Sequence, residues 1–133
     1  MTRTAVVSLL MRVVLGIIFV AHAVRKFQMG LENVSGWFGS LGLPGFLGYI
    51  VAFIELLGGI FLIVGLFTRY VSVLLVIVLA GAVFTVKIPL GLLGNGQSGG
   101  YELDLALLLI ALYLVVAERT PLSLDQVFSK KRV

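Results

Sequence analysis

Four long apolar blocks, each near the length a helix needs to cross a lipid bilayer, constrain this 133-residue sequence more than any other feature. A hydrocarbon core about 30 Å thick is crossed by roughly 20 helical residues, and the blocks fall at about 5–24, 46–67, 70–88 and 101–117. Each ends where a helix has reason to end. Arg25-Lys26 closes the first block, and Pro44 suits the start of the second, with Thr68-Arg69 as the short turn after it. Pro89 and Gly91 mark the exit of the third, and Glu118-Arg119-Thr120-Pro121 ends the fourth. With 60% hydrophobic and 12% charged residues, the chain has too little polar surface for a water-soluble fold. The expected architecture is all-α: an integral membrane four-helix transmembrane bundle with short interfacial helices, a single domain over 1–133.

Positive charge resists translocation and therefore sets the orientation. With the N-terminus inside, Arg3, Arg69, Arg119, Lys130, Lys131 and Arg132 lie on the cytoplasmic side and Arg25, Lys26 and Lys87 on the outer side, six against three. Both termini are thus expected in the cytoplasm of a multi-pass cell-membrane protein. The N-terminus also has the features of a secretory signal, ending in Ala21-His22-Ala23, but cleavage there would remove Arg12. Val34, Trp37, Phe38 and Leu41 recur at helical spacing, which predicts a short interfacial helix anchored by Trp37. In the tail, Ser123 and Gln126 have capping-box spacing ahead of Leu124, Val127, Phe128 and a Lys-Lys-Arg end, the pattern of a helix lying on anionic lipid. The segment from Gly91 to Gly100 holds five glycines without phosphate-loop spacing and reads as a turn-rich lid or linker.

Charged side chains inside spans cost roughly 2.5 to 3.5 kcal/mol each, so each needs a partner or a task. Glu55 sits mid-span on a face with Gly48, Ala52, Gly58 and Gly59, small residues that let a neighbouring helix come close. Arg12, on a face with Gly16, Phe19 and Lys26, is its expected ion-pair partner, either as a staple between helices or as part of a ligand site. A second polar group, His22, Lys26, Lys87, Glu102 and Asp104, gathers toward the outer face. Glu102 and Asp104 open a helix whose dipole favours carboxylates, and two residues apart they cannot clasp one metal ion. Glu102 shares its face with Tyr113, so an acid and a phenol are expected along one wall. Glu55, His22 and Glu102 are the candidate proton-exchanging residues; Arg12, Lys26, Lys87, Asp104 and Tyr113 are the candidate ligand-binding ones.

No cysteine and a single histidine, His22, leave the chain without the ligands for an iron-sulfur cluster, a disulfide mechanism or a bis-histidine haem. The net charge of +4 is spread without a basic stripe, so nucleic acid is not an expected partner. Arg12-Val-Val-Leu-Gly16 with Phe19, His22 and Lys26, then Leu41-Gly-Leu-Pro44-Gly45 and Ile54-Glu55-Leu-Leu-Gly58-Gly59, form a specific combination. Gly65-Leu-Phe-Thr68-Arg69, Phe84-Thr85-Val-Lys87, Gly94-Asn-Gly96 and Gly100-Tyr101-Glu102-Leu-Asp104 extend it. Together they resemble the DoxX family of small four-span membrane proteins, in its CatD-like branch, over nearly the whole chain; Ala23 stands where that family usually has a glycine after the histidine. The resemblance implies a quinone-linked oxidoreductase or redox accessory subunit handling a quinone or catechol-like molecule, with no covalent cofactor. Membrane lipids, a redox partner subunit and further copies of the chain are the expected partners. A non-enzymatic scaffold, or a small-molecule binding or transport protein, is the alternative.

Overall fold

The computed structural model describes residues 2–87, 91–94, 100–117, 123–125 and 127, the side chains of Val86 and Lys87 excepted. Among them there is no strand. The helices are α1 (Arg3–Met29), α2 (Leu31–Ser40), α3 (Phe46–Val64), α4 (Thr68–Ala82), continued by a π-helical turn (Val83–Lys87), and α5 (Glu102–Val116). Three helical segments, Arg3–Met29, Phe46–Val64 and Thr68–Thr85, are long and apolar enough to cross a membrane. The helix in the fourth block, α5, has 15 residues, below the roughly 17 that a span requires.

α1 packs along α3, α3 along α4 and α4 along α5, while α1 meets α5 only sparsely. The surface so formed is inside out relative to a soluble bundle. Val14, Ile17, Phe53, Ile60, Ile77 and Leu109 point outward, while Arg12, Glu55 and Ser72 are buried. Hydrocarbon favours that arrangement, because apolar side chains lose nothing against acyl tails and charged ones must face protein. α2 rests on the start of α3, its Val34 and Ser35 against the bare backbone of Gly48. Trp37 on α2 is half exposed and makes an edge contact with Phe38, as an interfacial anchor would.

Two glycines set the α1–α3 crossing. A Cβ placed on Gly16 would sit 2.6 Å from the Gly59 carbonyl oxygen, and one on Gly59 would sit 2.7 Å from that of Gly16. The backbones therefore touch, as small-residue crossings in membranes allow. Further along the seam, Phe27 and Phe53 meet edge to face at 5.5 Å.

The helix ends differ from the sequence expectation for identifiable reasons. α1 does not stop at Val24 but runs through Arg25 and Lys26, since Lys26 finds a buried partner; Gly30, at φ 93°, ends it. α3 stops at Val64, not Phe67, because Gly65 adopts the left-handed conformation (φ 75°) and the Gly65 and Leu66 N–H groups both donate to the Phe61 carbonyl. Thr68-Arg69, expected as the turn, is the first turn of α4. Its N-terminus is capped from a distance: the Asp125 carboxylate accepts from the backbone N–H of Phe67 (2.7 Å) and Thr68 (2.9 Å), and the Asp125 N–H donates to Gly65. Of the expected tail helix, Ser123–Asp125 and Val127 are described, whereas Gln126, Phe128 and the Lys-Lys-Arg end lie outside the described residues, as do Ile88–Leu90 and residues 95–99.

The cap carries a prediction. Asp125→Ala removes both acceptors and the anion at the start of α4, and is expected to cost about 1–2 kcal/mol. Thermal unfolding in nanodiscs measures this, with Asp125→Asn, which keeps one acceptor, losing less; equal stability of all three proteins contradicts the capping role.

Candidate functional site

Glu55 lies on the buried face of α3 and is held by Lys26, not by Arg12: the Lys26 Nζ donates to both carboxylate oxygens at 2.8 Å. Helix direction explains the exchange. Side chains on a helix lean toward its N-terminus, so both α1 cations project toward Arg3. Lys26 thereby reaches down to Glu55, while Arg12 reaches away from it. On the antiparallel α3, Glu55 leans toward Phe46 and so up toward Lys26. Arg12, fully buried, packs instead on Gly65 and shares the field of Asp125 at the α3–α4 turn. The expected Arg12–Glu55 pair is thus replaced by the Lys26–Glu55 pair and a separate Arg12 environment near Asp125, fourteen residues away along α1 and ten along α3.

The Lys26–Glu55 pair lines a cleft of about 430 Å³ between α1, α3, α4 and α5, within the range of small-molecule sites. The polar residues come from α1 (His22, Lys26), α3 (Glu55) and the start of α5 (Glu102, Asp104); Phe19, Val78, Leu79 and Leu107 supply an apolar floor. Five of the eight sequence-derived candidates therefore meet in one place. His22 Nδ1 donates to the Ile18 carbonyl at 2.8 Å. In the neutral ring that bond leaves Nε2 as the lone-pair nitrogen. Glu102 and Asp104 do not cap α5, because the Tyr101 and Glu102 N–H groups donate to the carbonyls of Gly91 and Leu92. Their carboxylates are left to the cleft, and Gly100, pressed against the backbone of Gly91 and Leu92, holds that entrance together.

Three candidates lie elsewhere or undescribed. Tyr113 does not share a wall with Glu102: its hydroxyl is bonded to the Ser8 hydroxyl near the opposite end of α1, because a separation of eleven positions carries it about three turns down α5. Arg12 stands apart, as described. Lys87 ends the π-helical turn, and its side chain lies outside the described residues.

The DoxX family model matches residues 7–88. A Bacillus subtilis protein named "Putative oxidoreductase CatD" is 44% identical over 126 residues, covering 94% of this chain and 90% of its own. The chain belongs to the DoxX family. A Haemophilus influenzae protein named as uncharacterized is 34% identical over 126 residues, covering 91% of this chain and 90% of its own. An uncharacterized membrane protein of Mycobacterium tuberculosis is 28% identical over 130 residues, covering 90% and 80%. No solved structure matches the chain.

The matched stretch of this DoxX protein holds His22, Lys26 and Glu55, and stops before Glu102 and Asp104. Sequence reading passed over Asp125, whose only signal was its place inside a capping-box tail. It also passed over Val78, Leu79 and Ala82, apolar residues of α4 that line the cleft and carry no distinguishing pattern.

Proposed function

We propose that this DoxX protein is a redox-linked membrane subunit that holds a quinone, quinol or catechol-like ring in the cleft and exchanges protons with it. The observation that carries this is the Lys26–Glu55 pair, 22% and 7% exposed, lining the same cavity as an exposed His22. Oxidising a dihydroxy ring releases two protons and two electrons. Glu55, hydrogen-bonded to Lys26, takes the proton of one ring hydroxyl and His22, through Nε2, that of the other, and Glu102 at the mouth passes both to water. Asp104 shares that mouth, and Lys26 steadies the charge left on the ring oxygen. The chain has no cysteine and one histidine, so the electrons go to a carrier in a redox partner subunit.

The fold proposed for this role is one domain with four crossings, α1, α3, α4 and α5, both termini in the cytoplasm and α2 at the outer surface of the cell membrane. The six-to-three distribution of Lys and Arg supports that orientation, as does the antiparallel order of the four helices. A second reading, a non-enzymatic scaffold or small-molecule binder, draws on the two-point Lys26–Glu55 bond, which already neutralises Glu55 and would staple α1 to α3 without any ligand.

Absorbance and mass spectrometry of protein purified in lipid nanodiscs separate the two. Retained quinone in the wild type, reduced at least tenfold in Glu55→Gln with the fold intact, is the expected result. Protein that is folded but free of quinone in both forms removes the redox reading and leaves the scaffold.

A further inference from the structure

Among the described residues, little closes the cleft on the side where α1 faces α5. These two helices are pinned near one end by the Ser8–Tyr113 hydroxyl bond and otherwise touch sparsely. At the other end, His22 on α1 and Leu103 on α5 both line the cavity and are both exposed, Leu103 at 50%. At 100° per residue, Val14 and Ile18 on α1 and Leu109 on α5 share the faces of Ser8 and Tyr113 that meet, while Arg25 and Glu102 stand on those faces beyond His22. Acidic Glu102 and Asp104 make the other opening, the mouth at the start of α5 beside Gly91, Leu92 and Gly100, a polar one.

Resting on the functional reading above, we infer that the α1–α5 seam is a lateral portal, through which a lipid-borne ring enters from the bilayer and along which its apolar tail then lies. A dioxygenated ring can also arrive from water as a free catechol, so the shared chemistry is the ring and the distinguishing feature is the tail. The seam favours the tailed form. Between His22 and the Ser8–Tyr113 bond its edges are Ile18, Val14 and Leu109, and a tail held there keeps its contact with hydrocarbon while the ring reaches Lys26 and Glu55. The end near α5's first turn, with two carboxylates, offers a tail nothing.

The test uses Leu103→Trp, which narrows the seam without touching Glu55, Lys26 or His22. The probes are a benzoquinone carrying a ten-carbon tail and the same ring without it, titrated against full-length protein in nanodiscs. Affinities are compared as variant over wild type for each probe, which cancels partitioning into lipid. Leu103→Trp is expected to weaken the tailed quinone at least tenfold and the tail-less ring less than twofold, with Leu112→Trp, on an exposed face of α5 outside the cleft, changing neither. Leu103→Phe makes the same comparison should the tryptophan variant fail to assemble. Wild-type binding of both rings with equal losses for both, or none, in the Leu103 variants overturns the portal alone. Wild-type binding of neither ring overturns the functional reading and the portal with it.

Discussion

Lys26→Met is expected to lower stability in bilayers by about 3 kcal/mol, because it strips the cation that the buried Glu55 carboxylate contacts through two 2.8 Å bonds. The paired change tells repulsion of the orphan from loss of the bond itself. Lys26→Met with Glu55→Met leaves two apolar side chains of suitable length facing each other, and is expected within about 1 kcal/mol of wild type, since replacing both members of a buried pair is often close to neutral. Denaturant titration of the three proteins in nanodiscs measures this. A double variant no better than Lys26→Met would mean that Glu55 owes its place to something other than Lys26.

Gly59→Leu should disrupt the protein more severely than any change to a charge. A Cβ at that position would lie 2.7 Å from both the Gly16 carbonyl oxygen and Val20 Cγ2, and 2.9 Å from the Val20 backbone nitrogen. Backbone atoms cannot move aside as a side-chain tip can, so α1 must slide or lift from α3. Overpacking of this kind costs about 3 kcal/mol or more, and lifting α1 also draws Lys26 away from Glu55. Gly81→Ala is the contrast, since nothing lies within 4 Å of a Cβ there; it should be neutral or slightly stabilising, because alanine is the better helix former. The expected readout is loss of folded protein on gel filtration for Gly59→Leu and wild-type behaviour for Gly81→Ala. Similar behaviour of the two would contradict backbone contact at the crossing.

The helices were legible in the sequence because hydrocarbon imposes a length and a composition that few other environments do. The first three blocks appear as α1, α3 and α4 with shifted ends, and the shifts trace to single residues: Gly65 ends α3 early, and Lys26 lets α1 run on to Met29. The fourth block gives α5, shorter than a full span. The small residues around Glu55 correctly placed it inside the protein. What pattern could not supply was direction along the helix axis. Arg12 and Lys26 share a face of α1, and only the lean of side chains toward the helix N-terminus decides that Lys26 takes the acid and Arg12 goes to the turn near Asp125. Tyr113 shows the same limit: it does share a helix with Glu102, but lies three turns away, bonded to Ser8. Asp125 was missed because a cap donated from a distant segment leaves no local spacing to read.

The account stands most directly on the distance between the Lys26 ammonium and the Glu55 carboxyl carbon, measured by nitrogen–carbon dipolar solid-state NMR on labelled protein in lipid bilayers. With both oxygens 2.8 Å from the nitrogen, it predicts a strong coupling at a separation of roughly 3.2 Å. A Glu55 carboxyl coupled to the Arg12 guanidinium instead, or to no basic nitrogen, would contradict it.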